Sequence, residues 1–326
     1  MKVTILTEGG RDTGYGHITR CISVYQAFEE RGIIPQFIVH GDVNLQNMLK
    51  GNRYKFFDWL NNKKKLFKKL ENCNIVFIDS YLAKYDIYEM VSECTQKAVY
   101  FDDDLRIDYP KGFVLNGAIF AEELPYPKKD EITYLLGTKY APIRKEFWDT
   151  GPKSIHREVE TLMVTFGGSD LRNVTPKVQS LLNDAYPDLQ KKIIITSYFG
   201  NTSEIKRQQD KNTELVYDPS AAELKEIMQE SDIAISTGGQ TLYELARVGV
   251  PAIVICVAKN QSQNVVGWSK SGFMEYTGLY DDKNVLSKLN MALDKMMSYD
   301  KRLNHSTETR GIVDGKGPRR ICSILL

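Results

Sequence analysis

The tetrapeptide Gly14-Tyr15-Gly16-His17 sets a histidine directly behind two spaced glycines. Imidazole is the side chain whose ordinary titration lies nearest neutral pH, so it can take a proton from water in a hydrolytic step. Glycines let a ligand approach the backbone closely. The first turn of a helix adds unpaired N–H groups that favour phosphate or a polarised sugar oxygen. His17 is therefore the candidate general base, and its competing role is to cap or pack the helix start. The spacing is not the dinucleotide fingerprint, because Gly9-Gly10 precedes Gly14 and Gly16 outside the G-x-G-x-x-G pattern.

A second group runs Ser236-Thr237-Gly238-Gly239-Gln240-Thr241 and on to Glu244. Strand, double glycine and helix in that order form a cradle for a diphosphate. Glu244 has two readings: a carboxylate that accepts from ribose hydroxyls, or the far end of a capping box opened by Thr241. Gly167-Gly168-Ser169-Asp170 ends another strand and reads as a further glycine-rich approach to pyrophosphate or sugar. Asp102-Asp103-Asp104 has the D-x-D form that holds divalent cations. With no second acidic or histidine cluster to support it, it reads as an exposed acidic strand end, and no metal or cofactor is expected. His40, His156 and His305 have no partners at metal or triad spacing.

These groups need elements to carry them. Val3 to Leu6 reads as a short buried strand, followed by a loop and then by Ile18, Cys21, Ile22, Tyr25 and Phe28 at helical spacing, with Gly32 as the left-handed stop. Pro35 to His40, Ile75 to Ile78, Val99 to Phe101 and Phe113 to Leu115 read as further strands, and Trp59 to Leu70 as a lysine-rich amphipathic helix with a solvated face. From Leu162 the grammar restarts, with strands at Leu162–Phe166, Ile193–Ile195, Leu215–Tyr217, Ile233–Ser236 and Ala252–Val257. Ser220-Ala221-Ala222-Glu223 forms a capping box. Strands alternating with helices predict parallel, doubly wound sheets. Residues 1–150 and 151–326 then form two α/β domains, joined near Asp149–Arg157, the second closing in a helical, charged tail with Asp314-Gly315-Lys316-Gly317.

Composition narrows the class. The 326 residues are 42% hydrophobic and 26% charged with a formal net charge of +1, so no global field points to nucleic acid or an anionic membrane. No apolar run approaches the ~20 residues of a membrane span. The N-terminal apolar run is too short for a signal peptide, and five cysteines without a C-x-x-C pair suit free thiols. A cytoplasmic enzyme is expected.

Taken together, the motifs resemble a known family. Thr13-Gly14-Tyr15-Gly16-His17-Ile18-Thr19-Arg20 looks like the G-x-G-H-x-x-R opening of the PseG-type hydrolases, which act on UDP-2,4-diacetamido-2,4,6-trideoxy-β-L-altropyranose in pseudaminic acid synthesis. Ile78-Asp79-Ser80-Tyr81, Phe101-Asp102-Asp103, Leu115-Asn116, Gly167 to Asp170, Ser236 to Glu244 and Lys259-Asn260-Gln261 follow in order, over about residues 1 to 275. The resemblance implies a GT-B architecture, two Rossmann-like domains facing across a cleft, as in the lipid II N-acetylglucosaminyltransferase. It implies His17 as the base that activates water and Tyr81 as its aid at the reacting centre. Gly14, Gly16 and Arg20 would stand on the sugar side, and Gly167, Gly168 and Ser169 with Ser236, Gly238, Gly239, Gln240 and Thr241 near the diphosphate. Glu244 would face the ribose, and Asn260 and Gln261 the sugar. One departure is Ser80, where some relatives carry another histidine. The implied partner is a UDP-sugar substrate, cleaved at C1–O without a metal. Because fold alone does not decide function, a glycosyltransferase passing the sugar to an acceptor is the alternative.

Overall fold

A computed structural model describes residues 1–10, 14–41, 45–309 and 311–326. Thr13, which opens the matched motif, lies outside the described residues. The chain forms two compact units, Met1–Lys145 with Lys316–Leu326, and Glu146–Gly315.

The first unit holds β1 (Val3–Glu8), α1 (Gly16–Glu29), β2 (Gln36–His40), α2 (Gln46–Leu49), β3 (Tyr54–Phe56), α3 (Lys63–Leu70), β4 (Ile75–Asp79), α4 (Tyr85–Cys94), β5 (Lys97–Phe101), β6 (Gly112–Asn116) and β7 (Ile132–Leu136). Its sheet is parallel in the order β3-β2-β1-β4-β5-β6-β7. β1 and β4 are buried at every residue, as a central parallel strand covered on both faces must be. Both nonetheless end in a carboxylate, Glu8 and Asp79.

The second unit holds β8 (Thr161–Thr165), α5 (Thr175–Ala185), β9 (Gln190–Ile195), α6 (Thr202–Arg207), β10 (Thr213–Tyr217), α7 (Ala221–Glu230), β11 (Ile233–Ser236), α8 (Thr241–Val248), β12 (Ala252–Cys256), α9 (Ser262–Lys270), β13 (Met274–Leu279), α10 (Val285–Met296) and α11 (Tyr299–Thr309). Its parallel order is β10-β9-β8-β11-β12-β13. In both sheets the strand order reverses beside the first strand, at β1/β4 and at β8/β11. In doubly wound sheets ligands bind outside the carboxyl ends of the strands at that reversal.

Several expectations change. The lysine-rich helix starts at Lys63, not Trp59, because Asp58 holds Asn61 and Asn62 in a turn and the Trp59 indole donates to the Thr7 carbonyl at 3.1 Å. The Asp149–Arg157 stretch is fastened to the second unit: Asp232 pairs with His156 at 2.9 Å, and the buried Arg302 donates to the His156 and Arg157 carbonyls at 2.8 Å each. The last helix, α12 (Gly317–Leu325), belongs to the first unit instead of closing the second half. Arg319 forks onto Glu30, the C-cap of α1, with two bonds of 2.8 Å, and Lys97 donates to the Leu325 carbonyl at 2.6 Å.

Candidate functional site

In the first unit the β1/β4 reversal is where His17, Arg20 and Tyr81 meet. Beyond β1, Gly10 and Gly14 exchange two backbone bonds, 2.8 and 3.2 Å long. Gly14 holds φ +78°, a conformation that favours glycine, and a side chain there or at Gly16 would meet only open space. α1 then starts at Gly16, so His17 sits in its first turn, 6% exposed.

The register of β1 on β4 sets Thr7 beside Asp79. Asp79 is fully buried, and its Oδ1 lies 2.6 Å from His17 Nδ1. Burial by itself would raise the Asp79 carboxyl, but the charges and hydrogen bonds of Arg20 and His17 outweigh it and hold it well below the ordinary carboxylate range. A charged carboxylate only accepts, so Nδ1 carries the proton and donates to it, which leaves Nε2 of a neutral imidazole as an acceptor. Arg20 Nη2 also approaches Nδ1, at 3.3 Å, but two donors do not bond each other, and the shorter Asp79 contact decides the tautomer.

Arg20 is occupied on both sides. Nε and Nη2 donate to the two oxygens of Asp79 at 2.6 Å each, while Nη1 and Nη2 donate to Asp103 at 2.5 and 3.1 Å. Its guanidinium also lies 5.0 Å from the centre of the Phe101 ring. Asp103 in turn accepts the Tyr81 hydroxyl. Burial and the neighbouring Asp103 push the Tyr81 phenol above its ordinary value, so it stays protonated and donates. The Tyr81 ring meets the His17 ring edge to face, centroids 4.6 Å apart at 85°. Buried Glu8 fixes the backbone there, accepting from the Tyr81 and Leu82 amides at 2.8 and 3.3 Å and from the Ser80 hydroxyl. Ser80, at the departure from the family pattern, is thus a turn residue, its oxygen also accepting from the Leu82 and Ala83 amides.

The acidic run departs from its expected role. Asp102 is 3% exposed rather than an exposed strand end, because it accepts from the Leu105 and Arg106 amides at 2.9 and 3.1 Å and from the Tyr109 and Tyr126 hydroxyls at 2.9 and 2.5 Å. Among the described residues no group of three or more His, Cys, Asp or Glu side chains is arranged to hold a metal ion. Among them, too, no helix is long and apolar enough to cross a membrane, and all five cysteines are free.

The second unit gathers the other candidates at its own β8/β11 reversal. Gly167 takes φ +75° with open space around it, while the Gly168 carbonyl accepts from Thr196 at 2.6 Å and Ser169 is half-buried between them and Asp170. Asp170 is a structural cap, accepting from the Val174 and Thr175 amides at 2.9 Å each. At the end of β11 Ser236 is buried, as is Thr237 beyond it, and the Ser236 hydroxyl has no hydrogen-bond partner among the described residues. A Cβ on Gly238 would stand 2.3 Å from Val265, so that glycine is required by the close approach of α9, whose Asn264 also donates to the Gly238 carbonyl at 2.6 Å. Gly239 has room for a side chain. Gln240 is the N-cap of α8 and Thr241 its first residue, so the expected Thr241–Glu244 capping box does not form: Thr241 is one position too late to cap. Glu244 is 1% exposed. Beyond β12, Asn260 is exposed, and Gln261 accepts from the Val257 amide at 3.1 Å.

Sequence reasoning missed Asp79 and Asp103 as site residues, and Glu8 with them. The signal was a carboxylate ending an otherwise apolar buried strand, which in a parallel sheet lies at the ligand edge.

Residues 161–315 match the model of the glycosyltransferase family 28 C-terminal domain. The chain is 24% identical over 271 residues to an uncharacterized protein of Methanocaldococcus jannaschii, covering 78% of this chain and 55% of that one. It is 23% identical over 313 residues to a Helicobacter pylori protein named pseudaminic acid cytidylyltransferase and UDP-2,4-diacetamido-2,4,6-trideoxy-beta-L-altropyranose hydrolase, covering 93% of this chain and 54% of that one. It thus spans about half the length of these two relatives. A third, spore coat polysaccharide biosynthesis protein SpsG of Bacillus subtilis, is 23% identical with 100% of this chain and 98% of that one covered. Among solved structures, Acinetobacter baumannii MurG superposes with a TM-score of 0.70 at 11% identity, with 100% of this chain and 99% of that one covered. The rhamnosyltransferase SpnG bound to thymidine diphosphate gives 0.67 at 10%, with both chains wholly covered. With two parallel Rossmann-like sheets and this likeness, the chain has the GT-B fold, and its residues 161–315 are similar to the glycosyltransferase family 28 C-terminal domain.

Proposed function

We propose that this protein hydrolyses a UDP-linked diacetamido-trideoxy hexose at the anomeric C–O bond, releasing UDP and free sugar for pseudaminic acid synthesis in the cytoplasm. The observation that carries the reading is the 2.6 Å pairing of His17 Nδ1 with buried Asp79. It presents Nε2 as a base already oriented by a carboxylate, the arrangement general-base catalysis requires. Water bound at Nε2 gives up a proton to His17 as its oxygen bonds C1. The C1–O bond breaks and its electron pair leaves with UDP. Tyr81, protonated and fixed beside the imidazole, aids at the sugar, with Gly14 and Gly16 giving it room.

The second unit takes the nucleotide. Gly167, Gly168 and Ser169, with Ser236, Gly239, Gln240 and Thr241, surround the diphosphate at the start of α8, where helix amides offset its charge. Gly238 serves this turn by letting α9 close behind it. Glu244 faces the ribose, and Asn260 and Gln261 the sugar. The name of the Helicobacter pylori relative supports hydrolysis. The family 28 match and the glycosyltransferase likeness favour the second reading, transfer to an acceptor.

Incubation with a panel of UDP- and CMP-linked deoxy sugars, with and without acceptors, tests this directly. Free sugar without acceptor is expected from the UDP series. Product formed only when an acceptor is present would sink hydrolysis. His17→Ala should cut turnover by at least about a hundredfold while UDP affinity stays within about twofold, and near-normal turnover would remove His17 from the chemistry.

A further inference from the structure

The sequence placed Arg20 among ligand contacts, yet its donors are spent on two carboxylates. We propose that Arg20 and Asp103 are positioning residues of the His17 site: one guanidinium ties the carboxylate behind the histidine to the carboxylate that holds the Tyr81 hydroxyl, so that base and tyrosine are set as one unit. The inference rests on the hydrolase reading above for its activity arm only.

The geometry argues for this in three steps. Arg20 meets Asp79 through two parallel bonds of 2.6 Å, a fork that fixes the carboxylate plane as well as its place. Its remaining donors reach Asp103, which closes the chain onto Tyr81. Tyr81 returns to His17 through the edge-to-face ring contact, and His17 to Asp79, so the five groups form a closed loop. The five come from three segments: α1 supplies His17 and Arg20, the end of β4 and the turn beyond it Asp79 and Tyr81, and the turn after β5 Asp103.

Charge gives the loop a second effect. A buried carboxylate alone behind an imidazole favours the protonated ring, which cannot act as a base. Arg20 offsets the Asp79 charge, and Asp103 draws part of Arg20 away. The charged and titratable groups around His17 are Asp79 at the end of β4, Arg20 and Cys21 on α1, Tyr81 after β4 and Asp103 after β5. Loss of Arg20 therefore leaves the ring beside an uncompensated anion, whereas loss of the Asp103 charge gives Arg20 wholly to Asp79. The two changes should move the acid limb of the rate profile in opposite directions.

The test measures kcat/KM against pH for UDP-sugar hydrolysis in Arg20→Gln, Arg20→Lys, Asp103→Asn and Tyr81→Phe, with Tyr81→Phe combined with Asp103→Asn as a cycle. The His17 imidazole of each variant is also titrated by nitrogen NMR without substrate. Arg20→Gln should raise the acid limb by about one pH unit, Asp103→Asn should lower it, and Arg20→Lys should restore most of the limb but not the rate. The double variant should be no slower than the worse single one. Unmoved limbs in folded variants, or additive losses in the cycle, overturn the proposal. If Arg20→Gln does not fold, Asp103→Asn and Arg20→Lys decide by the same criteria. If the wild type turns over no UDP-sugar, the reaction is wrong. The NMR titration then decides alone: a His17 midpoint unchanged by Asp103→Asn and by the Arg20 variants overturns the loop.

Discussion

Asp79 joins a histidine and an arginine with no water-facing surface of its own, so its effect is felt in both chemistry and stability. Asp79→Asn keeps the shape but removes the charge and puts an NH2 donor in place of one oxygen, so the His17 tautomer is no longer fixed, and kcat should fall by about a hundredfold to ten-thousandfold with KM little changed. The pH sign follows from its depressed folded pKa. Its stabilisation is fully present above the ordinary carboxylate range, about pH 4, and is lost as pH falls through the folded value. Urea unfolding at stepped acidic pH should show wild type losing stability on acidification, with that part of the slope missing in Asp79→Asn. An unchanged slope would mean Asp79 is not the charged partner inferred here. His17, Arg20 and Tyr81 were legible because a short motif marks each of them. Asp79 and Asp103 were not, since their roles depend on side chains 62 and 83 positions away.

The loop between β11 and α8 shows what an element adds to its residues. The double glycine read as a phosphate cradle, but Gly238 faces Val265 of α9, whereas a Cβ on Gly239 would meet only Thr237 and Gln261 at ordinary contact distance. Gly238→Ala should therefore destabilise the protein by about 1–3 kcal/mol through overpacking, and adding Val265→Ala should recover much of that loss in thermal melts. Gly239→Ala should be mild in stability and weaken UDP binding instead. A Gly238→Ala loss that Val265→Ala leaves untouched would return that glycine to the ligand. Spacing alone misled at two elements. Thr241 and Glu244 stand at capping-box distance, but α8 starts at Thr241, one residue earlier than that pairing needs. Trp59 fits the apolar stripe of α3, yet its indole is spent on the Thr7 carbonyl. At Trp59 a contact from another segment overrides a correct local pattern.

At the scale of the whole molecule, alternating strands and helices were enough to read two parallel doubly wound sheets, because covered parallel strands leave an unmistakable apolar record. The path of the last helix was not legible: α12 is amphipathic wherever it docks, and only its partners Glu30 and Lys97 reveal the host. It buries Pro318, Ile321, Cys322 and Leu325 in the first unit. Deleting residues 316–326 should cost that unit on the order of 3–6 kcal/mol, read as an early melting transition, while fragment 146–315 should fold alone with a cooperative melt. A deletion variant that melts as wild type would refute this. Split placement also orders biosynthesis. The ribosome must deliver the entire second unit before the first receives its closing helix, so the His17 end of the protein waits, incomplete, through the making of its neighbour, and chaperone demand should concentrate on that half of the nascent chain.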